Sequence, residues 1–430
     1  MKYILTFFIS VFALTSFSQT KSIKISSPLS ENSASAEGMS PERLARIDVV
    51  LNNAIKEKQI PGAVALIARN GKIVYYKAFG MADNESKRIL KRDDIFRIAS
   101  QTKAITSTAI MMLWEEGKFQ LDDPISKYIP EFKNAHILDS LNEKDSTYTS
   151  KPTDKPITIR HLLTHTSGIG YGVIDGDAKF KKIYKKAGIV DLYTTEPVTI
   201  EQNIKKLAKL PLHHKPGEKF TYSEGLDVLG YLVEIVSGKP LDQFFKERIF
   251  TPLGMDDTWF YLPESKFARL VSVQTKIDDK WIKFPVQSFY DPDYPIKGAK
   301  KFFSGGAGLS STAKDYASFL QMYLNNGELN GVRLLSRTTV RIIMANQIGN
   351  LWGDSGAYYG LAFGVLDQKG QDLGGRGSLG TFNWGGYFNT DYFADPKEKI
   401  IGILLKQTQE ISNDETNWKF KQLVGQAVND

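Results

Sequence analysis

Cysteine is absent from all 430 residues. This excludes a disulfide framework, a thiol nucleophile and any thiolate metal site, and it leaves no residue for a lipoprotein anchor. Histidine is scarce, limited to His136, His161, His165, His213 and His214. The chain has no Gly-x-Ser-x-Gly and no His-Glu-x-x-His, so it lacks both the nucleophile elbow of a Ser-His-Asp hydrolase and the zinc-protease helix. His161 and His165 stand four apart at an expected helix end without a suitable third ligand. They read as structural, with His165 bracing the Thr166-Ser167-Gly168 turn. No metal and no cofactor is expected.

Long apolar runs are also missing, apart from Tyr3–Phe17 behind Met1-Lys2. That run is shorter than a membrane span and ends in Ser16-Phe17-Ser18, small residues suited to cleavage. Residues 1–18 are therefore expected to be a signal peptide, making the protein exported, periplasmic or secreted, without a membrane anchor. The formal charge is +7, but the lysines are scattered. The one cluster, Lys179–Lys186, reads as a solvated helix face. No nucleic-acid motif is present, so no nucleic-acid partner is expected and the basic balance suggests weak attraction to acidic surfaces only.

What is present is ordinary globular material, with 42% hydrophobic and 24% charged residues. Residues 19–38 lack periodicity and read as a flexible leader. Ser40-Pro41-Glu42 has the N-cap, N1 and N2 chemistry of a helix reaching about Lys58. Asn70-Gly71 between two strand-like runs is a hairpin signal. Helical patterns follow at 101–116, 158–164, 201–209, 224–237, 241–248 and 312–325, with long insertions at 133–157 and 168–198. Strand character returns at 359–367, 380–394 and 399–407, and a last amphipathic helix closes the chain within 411–430. The fold class expected is α/β (α+β). One antiparallel sheet is flanked by N- and C-terminal helices (an α/β lobe of 39–99 and 355–430), and a mostly helical lobe spans 100–335. A cleft between two such lobes is a usual place for a small-molecule site.

Ser100-Gln101-Thr102-Lys103 opens a helix with no charge in the next ten positions. Residues i and i+3 share a helix face, which brings a hydroxyl to an amine. Desolvation there disfavours a charged ammonium and suits lysine to act as a base for a serine nucleophile. A second copy, Ser311–Lys314, follows a glycine-rich run, and there Ser311 reads as a helix N-cap. Tyr222 comes after the Pro216-Gly217 turn, just before a helix start where negative charge is favoured; it reads as a proton relay or as an aromatic core plug. Gly385 and Gly386 interrupt a strand-like run, as happens where something approaches the backbone closely or at a bulge.

The ordered set Ser100-x-x-Lys103, Tyr222-Ser223 after Pro-Gly, and Trp384-Gly385-Gly386 resembles the serine β-lactamase and penicillin-binding-protein superfamily. The likeness extends to Leu162–Gly168, Gly305–Thr312 and Asp395-Pro396, over about 38–408. Class C β-lactamase-like enzymes and family VIII carboxylesterases are the most similar branches. The resemblance implies a catalytic domain over 39–410 with Ser100 as nucleophile. Lys103 and Tyr222 would share the proton transfers, and the backbone N–H groups of Ser100 and Tyr387 would form the oxyanion hole.

Two positions depart from that pattern. Glu224 stands where the family often has asparagine in contact with substrate. As a substrate-binding residue beside Lys103 it would keep the lysine charged and shift the base role to Tyr222; otherwise it favours the helix N-terminus and faces solvent. Trp384 replaces the cation that meets a carboxylate in β-lactamases and transpeptidases. With Gly385 and Gly386 it is expected to line the substrate site and to favour neutral acyl groups. The expected function is a serine hydrolase forming an acyl-enzyme on a small ester. The alternatives are an amide or lactam substrate, as for a β-lactamase or D-alanyl peptidase, and a non-catalytic envelope ligand-binding protein. Tyr171, Tyr290, Tyr294, Trp352 and Tyr358 are candidate pocket aromatics.

Overall fold

The computed structural model describes residues 20–287 and 291–430. The expected signal segment and Tyr290 lie outside the described residues. The elements that position the site begin with β1 (Ser30–Glu31), α1 (Pro41–Lys56), β2 (Gly62–Arg69), β3 (Lys72–Asp83) and α2 (Thr102–Glu115). Then come α3 (Ile159–Leu163), α4 (Ala178–Ala187), α5 (Gly225–Ser237) and α6 (Ala313–Leu324). The chain returns through β4 (Ala357–Tyr359), β5 (Gly364–Leu366), β6 (Phe382–Gly386), β7 (Thr390–Asp395) and β8 (Ile400–Leu405), and ends in α7 (Thr416–Gln426).

One sheet joins the two ends of the chain, in the order β4-β5-β6-β7-β8-β2-β3-β1. All neighbours are antiparallel except β1, which adds in parallel to β3 and makes the sheet mixed. Asn70 and Gly71 both take positive φ, 53° and 79°, as the β2–β3 hairpin requires. Every residue of β2 and β8 is buried, so these central strands read as continuous apolar runs. Ala63, Ala65 and Ile67 pack beneath α1 and α7, against Leu51, Phe420 and Val424. Val64, Leu66 and Ala68 face the opposite core with Ile105, Ala109 and Phe319. This period-two division explains why the central strands carry no polar face.

Ser40 caps α1 by accepting the Arg43 N–H at 3.2 Å. The N-terminal helix then meets α7 through Arg43 Nη1, which donates to the Gln426 carbonyl at 2.9 Å. Residues 20–38, expected as a flexible leader, instead lie along the body. Thr20 and Lys21 pair with Arg333 and Val332, and the Ser26 N–H donates to Glu328. Part of the 133–157 insertion is a hairpin, His136–Leu141 with Tyr148–Pro152. Helix α6 lies within the expected helical lobe by position, yet it packs on β2 and β8.

Leu51 on α1 is fully buried between the helix pair and the sheet. Leu51→Ala is expected to lower unfolding stability by about 2–5 kcal/mol, read from urea midpoints. A loss below about 1 kcal/mol would show that this layer relaxes freely.

Candidate active site

Ser100 sits where the chain turns from the sheet into α2. Ala99 takes φ +45°, a left-handed conformation uncommon for a residue with a Cβ. The single turn of 3-10 helix Ala99–Gln101 leads into α2. The Ile98 N–H donates to the Leu309 carbonyl, and the Leu309 N–H donates to Thr102 Oγ1 at 3.2 Å. The glycine-rich segment around 305 is thus stitched alongside the start of α2.

Helix α2 is buried on all sides through Leu113, and Lys103 has no exposed surface. Its Nζ therefore depends on protein partners. Nζ donates to the Gly306 carbonyl at 2.8 Å and the Tyr171 hydroxyl at 2.9 Å, and reaches Ser100 Oγ at 3.3 Å. Asp227, in the first turn of α5, holds the Gly306 carbonyl in place from behind. Its Oδ1 accepts the Gly306 N–H at 3.1 Å and the Ser304 hydroxyl at 2.6 Å. Burial pushes the Asp227 carboxyl up, while Ser304 and the charge of Lys103 pull it back. A Cβ on Gly306 would stand 2.3 Å from Asp227 Oδ2, and one on Gly305 would stand 2.5 Å from the Leu226 carbonyl. Both glycines are therefore set by close approach to α5.

The Tyr222 ring lies 4.7 Å from Lys103 Nζ, but its hydroxyl accepts from Trp384 Nε1 at 3.3 Å. The Ser223 N–H donates to His165 Nδ1 at 3.1 Å. Nδ1 is therefore the acceptor, and the proton resides on Nε2. Burial holds this imidazole neutral, pushing its pKa well down. His165 thus fixes the Tyr222-Ser223 segment as well as the turn that carries it. Trp384 extends the aromatic wall to Tyr359 and Trp352, with ring centroids 5.2 and 6.4 Å away. Of the other aromatic candidates, Tyr171 reaches Lys103, whereas Tyr294 is buried against Tyr193.

The Trp384-Gly385-Gly386-Tyr387 segment of β6 borders a cleft of about 460 Å³ with Ser100, Ile174 and Tyr222 at its other side. A Cβ on Gly386 would meet the Ile98 carbonyl at 2.5 Å. The close approach that calls for glycine is therefore the chain's own turn before Ser100, drawn against the end of β6. Ser100 and Tyr387 both border this cleft.

Glu224 fits neither expectation made for it. It is buried, lies outside the cleft lining, and pairs with Asp191 rather than bonding Lys103. Burial and the nearby Asp191 push its carboxyl well up, and the charge of Lys103 opposes this weakly. Asp191 in turn accepts the Gly172 N–H at 3.1 Å and the Val173 N–H, so the acid pair anchors the loop carrying Tyr171. Ser311 is not the N-cap of α6. Thr312 fills that role by accepting the Asp315 N–H, while Ser311 Oγ bonds Thr258 at 2.7 Å. His161 accepts the Thr158 N–H at its own helix start.

Asp227 and the role of Tyr171 at Lys103 were not identified from the sequence. A carboxylate among the apolar residues of the first turns of α5 was the available signal for Asp227, since such a charge needs a buried partner.

A carboxyl raised on folding stabilises most below its unfolded pKa, near 4.5 for Glu224, and loses that contribution as pH rises through the folded value. Glu224→Gln removes this slope. The variant is expected to gain stability relative to the parent between pH 4.5 and pH 8, read from denaturation midpoints. A constant difference across that range would place Glu224 in water.

Comparisons with known proteins identify the family. The Beta-lactamase family model matches residues 47–426. Esterase EstB of Burkholderia gladioli is 32% identical over 85% of this chain and 90% of its own length. A putative D-alanyl-D-alanine carboxypeptidase of Escherichia coli K12 is 29% identical over 88% of this chain and 85% of its own. Among solved structures, EstCE1, described as a hydrolase with promiscuous acyltransferase activity, superposes with a TM-score of 0.76 at 29% identity, over 90% of this chain and 99% of that one. The chain belongs to the Beta-lactamase family, and it is a serine hydrolase of the β-lactamase and transpeptidase fold.

Proposed function

We propose that the protein is an exported serine hydrolase whose Ser100 carries the acyl group of small carboxylic esters. The observation that carries this reading is the buried Lys103 Nζ, held between the Gly306 carbonyl, the Tyr171 hydroxyl and Ser100 Oγ. Ser100 Oγ attacks the ester carbonyl, and its proton passes to the lone pair of the unprotonated Lys103 amine, whose two N–H groups are held by the Gly306 carbonyl and the Tyr171 hydroxyl. The carbonyl oxygen takes up negative charge between the Ser100 and Tyr387 N–H groups, where fixed donors are worth most. As the tetrahedral species collapses, the C–O bond to the leaving group breaks and that oxygen takes a proton, relayed through Tyr222. Water then attacks the acyl-Ser100 carbonyl, and its proton returns through the same groups to Ser100 Oγ as the acid leaves.

Trp384 supports an ester rather than a substrate with a carboxylate beside the reacting bond. An indole N–H already spent on Tyr222 offers no positive charge to such a group. Two relatives are described as an esterase and a hydrolase, in keeping with this choice.

With a p-nitrophenyl ester, the wild type is expected to show a burst of nitrophenol equal to one acyl group per protein. Ser100→Ala is expected to abolish the burst and lower turnover by about 10⁴-fold or more. Retention of full activity in that variant would refute Ser100 as nucleophile. Nitrocefin is expected to be turned over far more slowly than the ester. Comparable rates would show that Trp384 does not exclude carboxylate-bearing substrates.

A further inference from the structure

The cleft beside Ser100 continues past the two glycines to a polar end formed by Asn389, Thr390, Asp391 and Asn417. The amide orientations there follow from a buried ion pair. Lys406 Nζ has no exposed surface and is held by Asp414 Oδ2 and by Thr416 Oγ1 at 2.8 Å. Asp414 is therefore an anion and can only accept. Asn389 Nδ2 donates to it at 2.7 Å and to Thr408 Oγ1 at 3.0 Å, which fixes Asn389 Oδ1 as the outward atom. That oxygen accepts from Asn417 Nδ2 at 3.4 Å, leaving Asn417 Oδ1 as a buried acceptor with no hydrogen-bond partner. Thr390 Oγ1, on a residue only 2% exposed, is likewise buried and unpartnered.

Asp391 adds a carboxylate to these acceptors. It lies opposite Gly385 across the β6–β7 ladder, so no side chain covers it from that strand. Its compensation is partial. Burial pushes its pKa up, and the Tyr392 backbone N–H and the charges of Lys421 and Lys406 pull it back. Lys406 is already committed to Asp414, and Lys421 Nζ stands 5.2 Å from the centre of the Phe393 ring. Among the described residues no ion pair to Asp391 is formed. The end of the cleft thus presents a carboxylate without an ion pair and an amide oxygen without a donor.

We propose that this end of the cleft is a subsite for a primary ammonium group, and that the substrates of Ser100 include esters carrying one. An ammonium has three donors and no acceptor, the complement of this set of oxygens. The assignment rests on the ester-hydrolase reading for its substrate class. The subsite itself rests on the Lys406–Asp414–Asn389–Asn417 chain and can be tested apart from turnover.

Two esters of equal length separate the possibilities: p-nitrophenyl 6-aminohexanoate and p-nitrophenyl heptanoate, which differ by an ammonium in place of a methyl. The wild type is expected to favour the ammonium ester in kcat/KM by about tenfold or more, the size of one charge-assisted hydrogen bond. Asp391→Asn keeps the shape and removes the charge, and it is expected to erase most of that ratio. An unchanged ratio in Asp391→Asn, or no preference in the wild type, would overturn the subsite. Calorimetric titration of Ser100→Ala with hexylammonium chloride provides a readout without catalysis. Binding at least about tenfold weaker in Ser100→Ala/Asp391→Asn supports the subsite even if neither ester is hydrolysed. Equal binding, or none to either protein, overturns it. Absence of Ser100-dependent turnover alongside Asp391-dependent binding would refute the ester reading while leaving the subsite in place.

Discussion

Lys103 is an amine with no access to water, and the surrounding structure supplies what the solvent cannot. The Gly306 carbonyl and the Tyr171 hydroxyl accept hydrogen bonds from its Nζ, and Ser100 Oγ stands 3.3 Å away as the third neighbour. Each of these groups comes from a different part of the chain. The carbonyl depends on Asp227 behind it, the hydroxyl on a loop tied down by Asp191 and Glu224, and the serine on a strained turn at Ala99. An unsatisfied polar group at this depth costs about 1–3 kcal/mol, so the buried amine couples α2, α5 and the 168–198 insertion into one unit. Ser100 is positioned as a by-product of satisfying the lysine.

The second constraint is distance between backbones. Strand β6 runs so close to Ile98 that only glycine fits at 386, and the 305–306 segment runs so close to α5 that only glycine fits there. Together they form two walls of the site, one edge of a sheet and one glycine loop. The aromatic side of Tyr222, Trp384, Tyr359 and Trp352 closes a third direction. A neutral His165 stiffens that side through Ser223. Farther along the cleft, a separate ion pair at Lys406 orients two amides, so burial of charge organises the far end as it does the centre.

Much of this was legible in the residues themselves. Ser40-Pro41 announced α1, Asn70-Gly71 announced the hairpin, and the uncharged run behind Lys103 announced a buried helix, because capping, turn chemistry and desolvation act locally. Trp384-Gly385-Gly386 signalled a close approach, although the sequence pointed to a ligand or a bulge and the structure places the Ile98 carbonyl there. Glu224 was misjudged because its neighbour in space, Asp191, lies 33 positions away in sequence (224 minus 191). Residues 20–38 lack periodicity yet pair with strand residues beyond position 330, a contact that no local pattern records.

By itself the sequence determined the kind of chemistry available: no thiol, no metal set, a serine and a lysine one helical turn apart, and glycines where backbones must meet. These follow from residue type and short spacing. Only the tertiary structure decided which groups face the lysine, that Tyr222 turns its hydroxyl to Trp384, that Glu224 is buried away from the cleft, and that Asp391 and Asn417 border it. Those outcomes depend on long-range packing, where a buried polar group takes whatever partner the fold brings within hydrogen-bonding distance.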